Sequence, residues 1–244
     1  MIQHFNLPSG ENMAYRYLPG EGPVVLFLPG YMSDMRGGKA QAVMAWAEAR
    51  GRACLLLDYT GCGQSEGVFA EKSLPLWRDE VIALLGGLGI ERVVLCGSSM
   101  GGWLMLLLAE ALGARVAALV CLAPAPDFTD WGYDAAQKAL LARGETLLQD
   151  NPYGPEPTPT YAKFWKAGQQ SLLLARGVAF DGPVRLIHGQ ADPDVPWEVS
   201  LRLAAALRSA DVQVLLIKDG DHRLSRPGDI ALLLRTLGEL PEQA

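Results

Sequence analysis

Short apolar runs alternate along this chain with longer stretches of helical periodicity, and this alternation limits the possible folds more than any other feature. Six such runs, rich in valine, leucine and isoleucine, lie at 24–28, 53–59, 92–96, 116–122, 184–188 and 212–218. Stretches with apolar positions three and four residues apart lie at 39–50, 74–88, 102–112, 199–207 and 230–240. Strands that alternate with helices form parallel βαβ units. The sequence therefore predicts an α/β fold with a mostly parallel central sheet flanked by helices.

The N-terminal segments depart from this alternation. Residues 2–6 and 13–17 are short candidate strands, and Pro8, Ser9 and Gly10 separate them. We expect them to form an antiparallel hairpin at one edge of the sheet.

Residues 127–181 also depart from it, and we interpret them as a small cap inserted in the domain. Ligands of open α/β sheets bind at the carboxyl ends of the strands, so an insertion that follows a strand is well placed to cover that site. Trp131 and Trp165 are its candidate substrate-binding residues. Its other aromatic residues include Tyr133, Tyr153, Tyr161 and Phe164. The alternative is a surface elaboration that only packs on the domain.

Length and composition fit one globular domain, residues 1–244, because half of the residues are apolar. The net charge is −6 and the basic residues are scattered along the sequence. The chain therefore lacks the concentrated positive charge that nucleic-acid binding requires, and no nucleic-acid partner is predicted. The cysteines lack the paired spacing of a disulfide framework or a zinc site, and we expect reduced, mostly buried thiols. They are Cys54, Cys62, Cys96 and Cys121.

The N-terminal sequence MIQHFNLPSG has neither the basic and apolar segments of a signal peptide nor the character of a transit peptide. We therefore expect a cytoplasmic location. Residues 93–109 are uncharged and approach the roughly 20 residues of a membrane span. Glycines and serines at the centre of this stretch favour a strand, a turn and a helix instead, so no integral membrane association is predicted.

Residues 96–102, CGSSMGG, follow a predicted strand and precede a predicted helix. The pattern Gly-x-Ser-x-Gly fits when it is centred on Ser99, and this strand-turn-helix setting is typical of a nucleophilic serine. The residues two before and two after such a serine must be small, because its backbone is strained. Centring the pattern on Ser98 would put larger side chains at both positions, so Ser99 is the candidate nucleophile. A tight turn in a packed core is the alternative.

A serine nucleophile needs a histidine to remove its proton and a carboxylate to hold that histidine. The chain has three histidines. His4 lies in the predicted hairpin, and His188 ends a strand, where we expect it to fix the following loop. His222 lies in the polar loop after the last strand, which can bring an imidazole over the sheet edge. His222 is therefore the candidate base, with an ordinary surface histidine as the alternative.

The loop at 188–196, HGQADPDVP, offers two candidate acids. Asp192 stands where the chain has just left the sheet and is the first choice, and Asp194 is its close rival. Either could instead cap the helix that follows.

An acyl-transfer site also needs N–H donors for its oxyanion, each worth about 3–4 kcal/mol of transition-state stabilisation. The Met100 amide, at the start of the helix after Ser99, is one candidate. The Tyr31 amide, after Gly30 in the loop that follows the strand FLPG, is the other.

No metal or organic cofactor is predicted. The glycine cluster at 58–67 has Glu66 where a dinucleotide fingerprint requires its third glycine. The sequence GGKA at 37–40 lacks both the first glycine and the hydroxyl residue of a phosphate-binding loop.

Five segments, taken in order, resemble one branch of the α/β-hydrolase superfamily. They are FLPGYMSDMRGGKA, LDYTGCGQSEG, LCGSSMGGWLML, LIHGQADPDVPW and GDHR. The branch is the abhydrolase-domain family of palmitoyl-protein thioesterases and mycophenolic-acid acyl-glucuronide esterases, with its bacterial relatives. The resemblance implies Ser99 as nucleophile, Asp192 as acid and His222 as base, in the chain order of α/β hydrolases. It is weakest over 127–181, and the mitochondrial location of the family is not carried over.

The predicted function is hydrolysis of a small-molecule ester or thioester through an acyl-enzyme on Ser99. Aromatic residues of the insertion would line an apolar acyl site, which favours medium-chain or aryl acyl groups. Two alternatives stay open. One is a lipid or carbon–carbon bond hydrolase of the same fold, and the other is a small-ligand-binding module without turnover.

Overall fold

The computed structural model describes residues 1–151 and 154–240. The strands are β1 (Gln3–Asn6), β2 (Asn12–Leu18), β3 (Glu21–Leu28), β4 (Arg52–Leu57), β5 (Val93–Ser98), β6 (Val116–Leu122), β7 (Leu147–Gln149), β8 (Thr158–Thr160), β9 (Val184–Gly189) and β10 (Val212–Ile217). Eight of them form one sheet in the order β1-β2-β4-β3-β5-β6-β9-β10. β2 pairs antiparallel with β1 and with β4, and the pairs from β4 to β10 are parallel. The predicted sheet, with its antiparallel hairpin at one edge, is confirmed.

The helices are α1 (Gly38–Ala49), α2 (Leu74–Gly87), α3 (Met100–Leu112), α4 (Phe128–Trp131), α5 (Ala135–Ala142), α6 (Ala162–Gln169), α7 (Glu198–Ala206) and α8 (Pro227–Gly238). The five helices predicted from periodicity are present, with ends that differ by at most three residues. α3 begins two residues earlier than predicted, because the bend at Ser99 leads directly into it.

The core lies on both faces of the sheet. Alternate residues of β3 point to opposite faces, so Leu26 packs with α2 and α3 while Phe27 packs with α1 and α8. α3 is buried along nearly its whole length, from Met100 to Ala109. The uncharged stretch 93–109 is therefore a core strand and a core helix. Among the described residues, none of the helices is long and apolar enough to cross a membrane.

The segment 127–181 leaves the sheet after β6 and contains α4, α5, the two-stranded β7–β8 pair and α6. Asp127, its first residue, is tied to the chain after α6, because its carboxylate accepts hydrogen bonds of 2.8 Å from the amides of Leu173 and Leu174. Tyr133, Leu141 and Leu147 form a small apolar cluster inside the segment. Tyr153 lies outside the described residues.

The four cysteines are buried free thiols, as expected. Burial raises the pKa of Cys54 and of Cys62 to about 12.

Candidate active site

Ser99 occupies a sharp bend between β5 and α3. Its φ of 54° and ψ of −121° lie in a region that side chains other than glycine rarely adopt. Its amide donates to the Leu122 carbonyl at 2.9 Å, which ties the bend to β6. A Cβ at Gly97 would lie 2.7 Å from the Gly101 carbonyl oxygen, and one at Gly101 would overlap the Leu28 carbonyl. The two glycines flank Ser99 because no larger residue fits there.

The two adjacent serines have different surroundings. Ser98 is the last residue of β5, pairs with Leu122 and is buried. Ser99 is half-buried, and its Oγ lies 3.1 Å from Nε2 of His222. The hydroxyl of Ser99 is therefore the one that meets a histidine.

His222 and Asp192 converge from two neighbouring loops at the carboxyl edge of the sheet. Asp192 follows β9 and His222 follows β10, and the His222 Nδ1 donates to Oδ2 of Asp192 at 2.9 Å. With its proton on Nδ1, a neutral imidazole presents the Nε2 lone pair to the Ser99 hydroxyl. The three side chains thus form a continuous line from carboxylate to hydroxyl.

Close approach of the two loops makes this line possible. The amide of Ala191 donates to the Gly220 carbonyl at 3.0 Å. A Cβ at Gly189 would overlap that same carbonyl, and a Cβ at Gly220 would lie 2.9 Å from the Gly189 Cα. Lys39 of α1 anchors the second loop further along, because its Nζ donates to the carbonyl of Arg223.

The carboxylate of Asp192 is buried and accepts four hydrogen bonds. Its side chain is 0% exposed. Oδ1 accepts from the amides of Asp194 and Val195 at 2.8 and 2.9 Å. Oδ2 accepts from His222 and, at 3.2 Å, from Nε2 of His188. Burial acts to raise the pKa of Asp192, but hydrogen bonds from His188 and His222 outweigh it and hold the pKa well below its usual value.

The rival acid, Asp194, contacts Asp192 through its backbone amide. The residue is exposed at the cavity mouth. Carboxylate and imidazole atoms of Asp192, Asp194 and His222 lie within 4.8 Å of one another, a spacing that metal ions can use. Since an ionised carboxylate offers roughly four lone-pair sites and Asp192 already has four donors, this group fits a hydrogen-bonding role better.

The two candidate oxyanion amides lie beside Ser99. Met100 is the first residue of α3, and a Cβ at Gly30, the residue before Tyr31, would lie 3.5 Å from the Ser99 Cβ. Among residues 1–151 and 154–240, neither amide has a backbone acceptor. The Tyr31 ring has a separate role, because it packs on Phe164 and its hydroxyl donates to the Pro159 carbonyl at 2.9 Å.

A cavity of about 780 Å³ opens above Ser99 and His222. Residues of the segment 127–181 form one wall, and they include Phe128, Trp131, Tyr133 and Thr160. Trp131, a candidate substrate-binding residue, lines the cavity, and its Nε1 donates to the Pro126 carbonyl at 2.7 Å.

The structure does not place Trp165 in that wall, which corrects the expectation for this residue. Its indole Nε1 donates to the Thr129 carbonyl at 2.9 Å, and its ring packs on the cluster of Tyr133, Leu141 and Leu147. Trp165 lies on α6, whose register turns the ring into the segment rather than toward Ser99. It is a packing residue of the segment.

One group at this site was not predicted from the sequence: the buried pair of His188 and Ser200. His188 was expected only to fix its loop, yet Nε2 contacts Asp192 and Nδ1 lies 2.7 Å from Oγ of Ser200 on α7. The available signal was a histidine at the end of a strand, four residues before the candidate acid.

The sheet order, with its antiparallel start and parallel remainder flanked by helices, is that of the α/β-hydrolase fold. The chain belongs to the alpha/beta hydrolase family, whose model matches residues 25–231. It is 39% identical over 245 residues to the mouse protein named palmitoyl-protein thioesterase ABHD10, mitochondrial. The alignment covers 98% of this chain and 82% of the mouse protein.

Two solved structures agree closely in fold and sequence. Mouse alpha/beta hydrolase domain-containing protein 10 superposes with a TM-score of 0.90 at 36% identity, covering 98% of this chain and 97% of that chain. A putative hydrolase from Agrobacterium vitis S4 gives a TM-score of 0.91 at 32% identity, with the same coverage of 98% and 97%. The predicted fold and family resemblance are confirmed, and the protein is a hydrolase.

Proposed function

We propose that this protein is a serine hydrolase that cleaves carboxylic esters and thioesters through an acyl-enzyme on Ser99. The observation that carries the proposal is the line of hydrogen bonds from Asp192 through His222 to the Ser99 hydroxyl, with distances of 2.9 and 3.1 Å. Such a line converts a weakly nucleophilic hydroxyl into an effective one.

In the first half-reaction, Oγ of Ser99 attacks the substrate carbonyl carbon while Nε2 of His222 takes the hydroxyl proton. Asp192 stabilises the imidazolium that forms. The negative charge on the carbonyl oxygen is met by the amides of Tyr31 and Met100, which we assign as the oxyanion hole. His222 then gives its proton to the leaving alcohol or thiol.

In the second half-reaction, water enters in place of the leaving group. Nε2 of His222 takes a proton from the water, whose oxygen attacks the acyl carbon bound to Ser99. Collapse of the second tetrahedral intermediate releases the carboxylic acid, and the proton returns to Oγ. The cycle needs no group other than the side chains and amides already in place.

The substrate class is proposed from the cavity and the relatives. Aromatic side chains, including Trp131, line the wall provided by 127–181, which supports this segment as a cap over an apolar acyl group. The mouse relative is named a thioesterase, which supports acyl thioesters beside oxygen esters. Medium-chain or aryl acyl groups, and acyl glucuronides, are the substrates to test first.

The direct assay compares p-nitrophenyl esters, acyl-CoA thioesters, acyl glucuronides and a carbon–carbon bond substrate with wild-type protein and Ser99→Ala. We expect ester or thioester hydrolysis that Ser99→Ala lowers by at least about 10⁴-fold. A preference for long acyl chains would favour the alternative of a lipid hydrolase. Turnover of the carbon–carbon bond substrate alone would contradict the proposal and indicate a carbon–carbon bond hydrolase. Stoichiometric binding without turnover would support the binding module instead.

The cytoplasmic location predicted from the N-terminal residues stays a proposal, since the mouse and human relatives are named as mitochondrial proteins. Fractionation of the source cells would test it.

A further inference from the structure

We propose that His188 is a positioning residue of this site: a neutral imidazole, protonated on Nε2, that holds Oδ2 of Asp192 toward His222. The role of Asp192 as the acid rests on the proposed function. The contacts of His188 rest on the structure alone.

His188 is a fully buried side chain with three polar contacts, and each is within hydrogen-bond reach. Its exposure is 0%. Nε2 lies 3.2 Å from Oδ2 of Asp192 and 3.1 Å from the Val195 carbonyl oxygen. Nδ1 lies 2.7 Å from Oγ of Ser200, which is also fully buried. A buried polar side chain keeps such partners because leaving any of them unpaired is costly.

These partners fix the tautomer. A carboxylate and a carbonyl can only accept, so Nε2 must carry a proton. The Ser200 hydroxyl can donate to Nδ1, and a neutral ring with its proton on Nε2 then satisfies all three partners. Ser200 therefore holds the ring in the form that donates to Asp192.

The consequence for Asp192 follows from geometry. The amides of Asp194 and Val195 hold Oδ1, and His188 donates to Oδ2, the same oxygen that His222 contacts. The carboxylate cannot rotate without breaking a hydrogen bond at either oxygen. Nδ1 of His222 thus meets an acceptor already in place, so the imidazole keeps the orientation in which Nε2 points to Ser99.

The charged groups near this arrangement come from three elements. Asp192 and Asp194 lie on the loop after β9, Asp221 and Arg223 flank His222, and Lys39 reaches in from α1. Of these, Asp192 contacts His188. The tautomer assigned to His188 therefore depends on Asp192, Val195 and Ser200.

The first test reads the tautomer directly. The chain has three histidines, so ¹⁵N-histidine NMR with His4→Gln and His222→Gln as assignment variants resolves each ring. At neutral pH we expect His188 to show a protonated Nε2 and an unprotonated Nδ1. An imidazolium, or a ring protonated on Nδ1 only, would overturn the proposal. Since no substrate is present, this result stands even if the esterase assay fails.

The second test separates positioning from packing. His188→Leu removes the donor, whereas His188→Gln keeps an N–H at the place of Nε2. We expect His188→Leu to lower kcat roughly 10- to 100-fold, the usual size for loss of a partner that orients a functional side chain. KM should change less than about twofold, because substrate contacts are unaltered. His188→Gln should recover most of kcat.

Ser200→Ala is a milder variant that tests the same proposal if His188→Leu does not fold. It deletes one hydroxyl and should lower kcat several-fold while ¹⁵N spectra show a mixture of His188 tautomers. Ser209→Ala is the matched control, because it removes a buried hydroxyl that donates to the Gly182 carbonyl away from the site. Equal kcat in all these variants, or equal losses in Ser200→Ala and Ser209→Ala, would contradict positioning. If wild-type protein turns over no ester at all, the proposed function fails and the NMR result alone decides the role of His188.

Discussion

Nε2 of His222 lies 3.1 Å from Oγ of Ser99, although 123 positions separate them in the chain. The contact exists because β5, β9 and β10 are parallel strands of one sheet, so the loops at their carboxyl ends emerge at the same edge. The loops after β9 and β10 then pack on each other at Gly189 and Gly220. The site is thus a product of sheet topology and of two close backbone contacts.

The two neighbouring aspartates differ in role. Asp192→Asn should lower kcat by about 10⁴-fold, because an amide nitrogen facing Nδ1 of His222 cannot hold the imidazole in the required tautomer. Asp194→Asn should stay within about threefold of wild type, since the Asp194 contact with Asp192 comes from its backbone amide. Steady-state hydrolysis of one p-nitrophenyl ester measures both. A larger loss in Asp194→Asn would transfer the acid role to that residue.

The stability contribution of Asp192 should depend on pH. Its pKa is depressed in the folded protein, so the stabilisation is present above the unfolded value of about 3.9 and is lost as the pH falls toward the folded value. Asp192→Asn should therefore be less stable than wild type by about 2 kcal/mol at neutral pH. The gap should narrow below roughly pH 4. Urea unfolding at several pH values checks this, and a constant gap would show that ionisation of Asp192 does not stabilise the fold.

Gly189→Ala should separate the two loops that carry the acid and the base. The new methyl group would overlap the Gly220 carbonyl, a backbone atom that must move to make room. We expect a loss of about 2–3 kcal/mol in unfolding free energy together with a fall in kcat. The matched control is Gly86→Ala in α2, where no atom lies within 4 Å of the added Cβ. That exchange should stabilise the protein by up to about 1 kcal/mol.

Alanine substitutions at Trp131 and Trp165 should have different effects, the first on substrate preference and the second on stability. Trp131→Ala widens the cavity, so kcat/KM should shift toward bulkier acyl groups across a series of p-nitrophenyl esters. Trp165→Ala should keep the wild-type preference and lose about 2 kcal/mol of stability, because its ring packs inside the segment 127–181. Thermal unfolding and the ester series are measured on both. A changed preference in Trp165→Ala would return this residue to the substrate site.

Local pattern was enough to predict the eight-stranded sheet, the five helices α1, α2, α3, α7 and α8, and the bend at Ser99, but not the separate elements of 127–181. Each of these depends on residues close in sequence, as at Ser99, where Gly97 and Gly101 reveal the steric demand two positions away. The order of predicted strands also placed the loops of Asp192 and His222 at one edge.

Contacts between side chains from different elements could not be predicted in the same way. The His188–Ser200 pair joins a strand end to α7, and the crossing of Gly189 with Gly220 joins two loops. The direction of the Trp165 ring depends on the register of α6 against its neighbours. Apart from the position of His188 four residues before Asp192, nothing in the spacing of these residues distinguishes them from ordinary core, loop and helix positions.

The most direct test of the account is the position of a covalent label from a fluorophosphonate probe. Ser98 and Ser99 fall in the same tryptic peptide, residues 93–115, so fragment ions that separate residue 98 from residue 99 locate the label. We predict one label per chain, on Ser99, and its loss in His222→Gln. A label on Ser98, or folded protein that takes up no label, would contradict the account.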